Sequence, residues 1–368
     1  MSKSTLSCCL VVKNEQDNIS KCLSCINLLA DEIIIVDTGS TDGTRISVNR
    51  WIDKYKAHSG VKYIEVGNKF HDADGDFNFG AAKTFAFQNA TKDYVMWLDA
   101  TDRVTDQRKA KIQFLKETSK NKNVYFTMPT ELTEDFAFIR SRIGPRDKSI
   151  MDGRIHEYMK FTSGEMTKIF IPVPIKNYKK ERDLGRNIRQ LLKEWDENPS
   201  ARIAFYIGLT YRELNKLEES ITWFRKRIYN FEFKDEFSEE YFKALESIAE
   251  MIIIAKNDSD STMDLYDLAN EMIQKEPNRY EGYYYMGKYL YRTQKYNEAI
   301  QQFRKYTKCK RPSSYKLWLN PKLYTGKAIL NAIEECKTAL KYSEVLQPDE
   351  ILDYNQSRST YKRGNTQY

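Results

Sequence analysis

Tyr94-Val95-Met96-Trp97-Leu98 is an unbroken apolar run that stops at Asp99-Ala100-Thr101-Asp102-Arg103. A run this short cannot span a membrane, and its lack of a polar face marks a strand buried on both sides, as in a parallel sheet. In open α/β sheets ligands collect in the crevice beyond the carboxyl ends of the strands, so Asp99 and Asp102 mark where a cation or a phosphorylated ligand would sit. Alone, the segment is equally compatible with a strand followed by an Asp-initiated turn. The chain upstream tips the balance. Leu6-Ser7-Cys8-Cys9-Leu10-Val11-Val12 is another buried strand and ends at Lys13-Asn14-Glu15. Residues 16–29 place Ile19, Leu23, Ile26 and Leu29 near a helical period, and Glu32-Ile33-Ile34-Ile35-Val36 then runs into Asp37-Thr38-Gly39-Ser40-Thr41-Asp42-Gly43-Thr44. Strand, helix and strand with an acid and glycines at the second strand's end make a βαβ unit of nucleotide-binding type.

Several function classes fall away. Neither Gly-x-Gly-x-x-Gly nor Gly-x-x-x-x-Gly-Lys is present, which excludes a dinucleotide fingerprint and a P-loop. Instead, Thr38 to Thr44 offers hydroxyls and backbone amides at a helix start, with Asp42 or Ser40 as the expected N-cap. The 59 Lys and Arg exceed the 52 Asp and Glu by seven, spread along the chain. That suits an anionic small ligand or an acidic acceptor and argues against nucleic acid, which calls for a dense basic stripe. No apolar run reaches membrane-spanning length and the N-terminal one is too short for a signal segment, so a cytoplasmic location and no transmembrane segment are expected. The six cysteines have no framework spacing, and Cys22-x-x-Cys25 lacks a second pair, so it reads as two small residues on a helix face. Asp72, Asp74 and Asp76 mimic the start of a calcium loop, but the glycine is misplaced and Lys83 occupies the twelfth position; a solvated loop near the ligand pocket is expected.

In combination and in this order, Lys13-Asn14-Glu15, the Asp31 to Thr44 segment and Trp97-Leu98-Asp99-Ala100-Thr101-Asp102 resemble the catalytic domain of family 2 glycosyltransferases, an α/β domain of the GT-A fold. The resemblance implies inverting transfer of a sugar from a nucleotide diphosphate donor with Mn²⁺ or Mg²⁺ held at an Asp-x-Asp motif. It implies that Val12, Asn14, Glu15 and Asp37 face a uridine-type base and ribose. Lys83 stands where relatives carry the arginine of Ala-Ala-Arg-Asn and would touch phosphate or base. Asp99 would hold ribose or metal, Asp102 would lie beside the diphosphate and bind metal, and Arg142 joins the donor set. Gly153-Arg154-Ile155-His156-Glu157 resembles a late segment of one family branch and makes His156 the second metal candidate. Lys160, where a second histidine would have to stand, excludes a zinc-protease motif. Inversion needs a general base; Glu157 and then Asp135 are the candidates, and the sequence does not rank them firmly. Two departures matter: Thr101 replaces the second acid, weakening the metal site, and Lys83 supplies charge without arginine's bidentate fork.

Beyond Asp102 the pattern predicts a helix over 105–119, strands over 123–128 and 136–142, and an end to sheet structure near Pro172 and Pro174. Gly208, Tyr211, Ser220 and Phe224 recur in identical spacing as Gly287, Leu290, Ala299 and Phe303, with Pro199 and Pro277 ahead of each set. This is the small-then-large pattern of tetratricopeptide-like helix pairs, with an irregular unit between them around Tyr241 to Ile273. The tyrosines from Tyr280 to Tyr291 read mainly as packing between helices. The expected organisation is a GT-A domain over 1–178, an all-α repeat domain over 179–345 and a polar tail over 346–368. The resemblance extends to the branch of peptide and protein glycosyltransferases of the sublancin type. The expected activity is transfer of a hexose from a UDP-sugar to a peptide or protein side chain, and pairing as a homodimer is open to such a repeat stack. The alternatives are a surface-polysaccharide or lipid-linked glycan transferase, and a non-catalytic repeat adaptor with a degenerate transferase domain.

Overall fold

The computed structural model describes residues 3–55, 60–133, 136–178, 183–230, 238–255, 259–309, 323 and 326–343; Asp135 and the expected tail lie outside them. The chain opens with β1 (Leu6–Val12), α1 (Ile19–Ile26), β2 (Glu32–Asp37), α2 (Thr44–Lys54), β3 (Val61–Glu65), α3 (Phe79–Gln88) and β4 (Tyr94–Leu98). It continues with β5 (Asp102–Val104), α4 (Gln107–Lys120), β6 (Val124–Thr133), β7 (Phe136–Pro145), β8 (Ser149–Asp152), β9 (Tyr158–Phe161), β10 (Thr167–Phe170) and β11 (Ile175–Asn177). Nine strands form one mixed sheet in the order β3-β2-β1-β4-β7-β6-β11-β5, with β10 also beside β6; β8 and β9 form a separate hairpin. β1 to β4 are parallel, whereas β7 runs antiparallel to both β4 and β6.

The period-two geometry of a strand explains why the first runs are apolar at every position. Cys8, Leu10, Ile33, Ile35, Met96 and Leu98 face a core shared with α1, α2 and α4. Their sequence neighbours Cys9, Ile34, Val36, Val95 and Trp97 face a second core with Ala86 and Phe87 of α3 and with Met151 and Met159 of the hairpin. Each fully buried side chain of this size contributes about 1.5–3 kcal/mol, so the central strands are the most firmly held part of the domain. Parallel register then sets Val12 opposite Asp37 and Leu10 opposite Leu98, which brings the carboxyl ends of β1, β2 and β4 to one edge.

The helical part comprises α5 (Leu184–Glu197), α6 (Ala201–Glu213), α7 (Leu217–Tyr229), α8 (Ser238–Ala255), α9 (Ser259–Lys275), α10 (Glu281–Arg292), α11 (Tyr296–Arg304) and α12 (Lys327–Ser343). The last sheet strand ends at Asn177, yet the first compact unit runs on to Lys226 and the second begins at Arg227. Charge pairing accounts for part of this. Lys193 of α5 reaches Asp72 at 2.7 Å and Asp74 at 2.6 Å, and Arg154 joins Asp72 and Glu197 at 3.0 Å each. The acidic loop expected to be merely solvated therefore anchors α5.

The repeated glycines are contact points within helix pairs. A Cβ on Gly208 of α6 would lie 2.8 Å from the Phe224 ring of α7, and one on Gly287 of α10 would lie 2.5 Å from the Phe303 ring of α11. The small residue lets each pair close over its phenylalanine. Gly287→Ala should lower the urea midpoint, because overpacking of about 1–3 kcal/mol opposes a helix-propensity gain of about 1 kcal/mol. Adding Phe303→Leu should recover part of the loss; a purely additive double mutant would show that the contact is not the cause.

Candidate active site

The loops after β1 and β2 are laced together. Buried Asp37 accepts the backbone N–H of Gly39 at 3.0 Å and of Ser40 at 2.8 Å on one oxygen, and the Tyr63 phenol of β3 on the other. Asn14, in the left-handed region at φ 55°, donates its backbone N–H to the Ser40 hydroxyl at 3.0 Å and accepts from Thr41 N–H at 2.8 Å. Glu15 N–H donates to the Thr44 hydroxyl at 2.8 Å. The N-cap of α2 is Gly43 with no side-chain cap bond, rather than Asp42 or Ser40. Asp42 instead accepts the N–H groups of Gln16 and Thr44, so the expected capping groups hold the two loops in register.

On the other side of the edge, Asn78 caps α3 by accepting the Ala81 N–H at 2.9 Å. At Gly80 a Cβ would fall 2.2 Å from the Gly153 carbonyl oxygen, so glycine is what lets α3 close onto that segment. One turn further along, Lys83 is inside the protein, its side chain 5% exposed. Its Nζ lies 2.8 Å from Asp99 Oδ1, 2.6 Å from Glu157 Oε1 and 4.3 Å from the centre of the Trp97 ring. Positive φ at Gly153 (96°) and His156 (53°) turns the chain just ahead of Glu157. Burial opposes the Lys83 charge, but the Asp99 and Glu157 carboxylates outweigh it and hold the ammonium above its ordinary value. Burial likewise opposes charge on Asp99; the Lys83 ammonium, helped by Arg142 and Arg140, overcomes it and lowers the carboxyl from 3.8 to about 2.

The two acids of the Asp99–Asp102 turn occupy different environments. Asp99 keeps 41% of its side chain exposed, and only its Oδ1 is bound by Lys83. Asp102 is sealed: Oδ2 accepts from Arg142 at 2.9 Å and from the Asp99 N–H at 3.1 Å, while Oδ1 accepts from Asn177 at 2.6 Å. Arg142 also donates to the Thr130 hydroxyl at 3.0 Å and packs 3.8 Å from the centre of the Trp97 ring. Asp102 and Arg142 form an internal pair that shapes the turn, with side chains 0% and 1% exposed. The His156 ring stacks on Tyr206 at 4.1 Å, and no group of three His, Cys, Asp or Glu among the described residues is arranged to enclose an ion. The expected pairing of Asp102 with His156 as metal ligands thus finds no support in the geometry. Asp99 does fit as a single protein anchor, since Mg²⁺ and Mn²⁺ accept one or two carboxylates with substrate phosphates supplying further oxygens. Arg140, two residues before Arg142 on β7, is absent from the expected site residues, although the alternate basic residues of Arg140-Ser141-Arg142 put both arginines on one face of that strand.

A nucleotide-binding α/β domain of GT-A type, its charged groups gathered at the carboxyl edge, is what this geometry defines. Residues 7–176 match the family described as Glycosyl transferase family 2. Glycosyltransferase SunS of Bacillus phage SPbeta and its prophage-derived counterpart in Bacillus subtilis (strain 168) are 24% identical over 284 residues, covering 73% of this chain. The chain spans 63% of the length of these curated relatives. A TPR repeat-containing protein of Synechococcus elongatus is 29% identical over 99 residues, 27% of this chain and 21% of that one. Among solved structures, S. aureus TarS 1–349 is 10% identical, with a TM-score of 0.34 and coverage of 74% of this chain and 89% of that one.

Two substitutions separate the acids. Asp102→Ala should cost about 3–5 kcal/mol in urea unfolding, because it strands the buried Arg142 charge. Asp99→Asn should leave the protein folded and show a pH signature. The Asp99 carboxyl is depressed in the folded protein, so its stabilisation is fully present above 3.8 and lost as pH falls through about 2. The stability difference between wild type and Asp99→Asn should therefore be constant near neutrality and vanish across that acid window; a difference that persisted below it would contradict the pairing.

Proposed function

We propose that this chain is an inverting glycosyltransferase that moves a hexose from a UDP-sugar to a peptide or protein side chain. The observation that carries the reading is the Lys83 ammonium joining Asp99 to Glu157 at the carboxyl edge of a family 2 domain. Asp37 and the laced loops behind it form the wall for the uridine end of the donor. Glu157 is the general base: Oε1 is tied to Lys83, which fixes the carboxylate's direction, and the other oxygen takes the proton of the acceptor hydroxyl or thiol. As that proton leaves, the acceptor atom bonds to the anomeric carbon, the bond from that carbon to the diphosphate oxygen breaks, and UDP departs with the electron pair. A Mn²⁺ or Mg²⁺ bound through Asp99 and the donor phosphates would supply neutralisation of the leaving group. Asp135, the second candidate base, lies outside the described residues.

The acceptor class is supported by the tetratricopeptide-like helix pairs, a repeat type suited to holding an extended peptide. A cytoplasmic setting fits this reading, and no helix among the described residues is long and apolar enough to cross a membrane.

Calorimetry with UDP-glucose, UDP-N-acetylglucosamine and GDP-mannose, with and without Mn²⁺, tests the donor. One UDP-sugar should bind, and Asp99→Ala should weaken it by roughly tenfold or more, equivalent to about 1.4 kcal/mol. Glu157→Gln should keep donor binding and lower the transfer rate by about 10²- to 10⁴-fold. Failure of every nucleotide sugar to bind would overturn the assignment and favour a repeat-based adaptor.

A further inference from the structure

Three cations lie against the Trp97 ring. Arg142 lies 3.8 Å, Lys83 4.3 Å and Arg140 5.7 Å from the ring centre. Two of them are matched: Lys83 by Asp99 and Glu157, Arg142 by Asp102. Arg140 is not. Among the described residues it forms no ion pair with a carboxylate and donates no hydrogen bond to protein, although its guanidinium also lies over the Phe138 ring at 4.5 Å. Burial above all, and then the Arg142 charge, disfavour its protonated form, while Tyr206, Glu157 and Asp99 favour it.

An aromatic platform fixes a guanidinium by its face and leaves the in-plane N–H groups free to meet an oxyanion in a fork. Half-burying such a cation without a partner is unfavourable, and an incoming anion removes that cost. The position is also where extra positive charge is most needed. Thr101 stands in the place of the second acid, Asp102 is closed off by Arg142, and of the two acids of this turn Asp99 alone is open to a metal. We infer that Arg140 is a diphosphate-binding residue of the donor site, taking phosphate oxygens of the nucleoside diphosphate sugar and stabilising the charge on the departing diphosphate. This rests on the donor reading proposed above. It assigns a role to a residue that the motif pattern does not mark, and it means that part of the leaving-group charge is met by the protein without a metal.

The test is calorimetric binding of UDP, UMP and uridine to the full chain in EDTA and in Mn²⁺, for wild type, Arg140→Gln and Arg140→Lys. Wild type should bind UDP more tightly than uridine even in EDTA. Arg140→Gln should weaken UDP by about ten- to a hundredfold, as expected for charge-assisted hydrogen bonds, and leave uridine within about twofold. Arg140→Lys should fall between. Retained uridine binding shows that the variants are folded. Unchanged UDP affinity in Arg140→Gln, with only transfer to the acceptor lost, would overturn the inference and place Arg140 with the acceptor; equal loss of UDP and uridine would overturn it as a loss of the pocket. If wild type bound neither UDP nor uridine, the donor reading itself would fall, and this inference with it.

Discussion

The site depends on one buried ammonium. Lys83 is held at the junction of α3, the end of β4 and the segment before β9, and each of the three is placed by a separate feature. Gly80 lets α3 approach the Gly153 carbonyl; Trp97 presents its ring beneath the charge; the positive-φ turn through His156 delivers Glu157. Without Lys83, Asp99 and Glu157 would be two like charges facing each other across a partly desolvated gap. With it, they are fixed in orientation and kept apart by a cation that binds both. A lysine rather than an arginine suits this position, because a compact ammonium can bond two carboxylates in different directions where a planar fork favours one.

The Asp99–Asp102 turn shows why the same residue type serves two purposes within four positions. Asp102 begins β5, and the antiparallel pairing of β5 with β11 brings Asn177 beside it while β7 brings Arg142. Those long-range contacts bury one acid and leave the other open. A sealed ion pair adds little net stability compared with an apolar replacement, but it is costly to break, which makes it a device for holding a backbone turn in one shape. The Asp99 N–H bonded to Asp102 Oδ2 is the direct link between that pair and the exposed carboxylate.

This division explains what the sequence made legible. β1, β2 and β4, α1, α4 and the repeated Gly–Phe helix pairs are readable, because apolar periodicity and fixed spacing are local signals, whereas the half-exposed β3 is not. Strands of three residues such as β5 and β11 carry too little pattern to be seen, and they decide the fate of Asp102. Motif resemblance placed Lys83, Asp99 and Glu157 in one region but could not show that a single ammonium joins them. The extent of the first compact unit was hidden for a related reason: Lys193, Arg154 and the acids at 72 and 74 are far apart in sequence, and only the folded chain shows them pairing.

Charge balance at the edge connects these points. Lys83 has two carboxylates, Arg142 has one, and the cation held over Trp97 and Phe138 has none among the described residues. A diphosphate arriving as proposed would add at least two negative charges to this region, and a protein environment cannot reorganise around them as water does. Under the proposed donor reading, a pre-placed guanidinium would be favourable twice: it would attract the donor on entry, and it would already be oriented when the bond to the sugar breaks and the negative charge on the leaving group grows. The same logic accounts for the tight closure of Asp102. Were that carboxylate open, it would compete with the phosphates for the cations of this edge; tied to Arg142, it fixes the turn without opposing the anion.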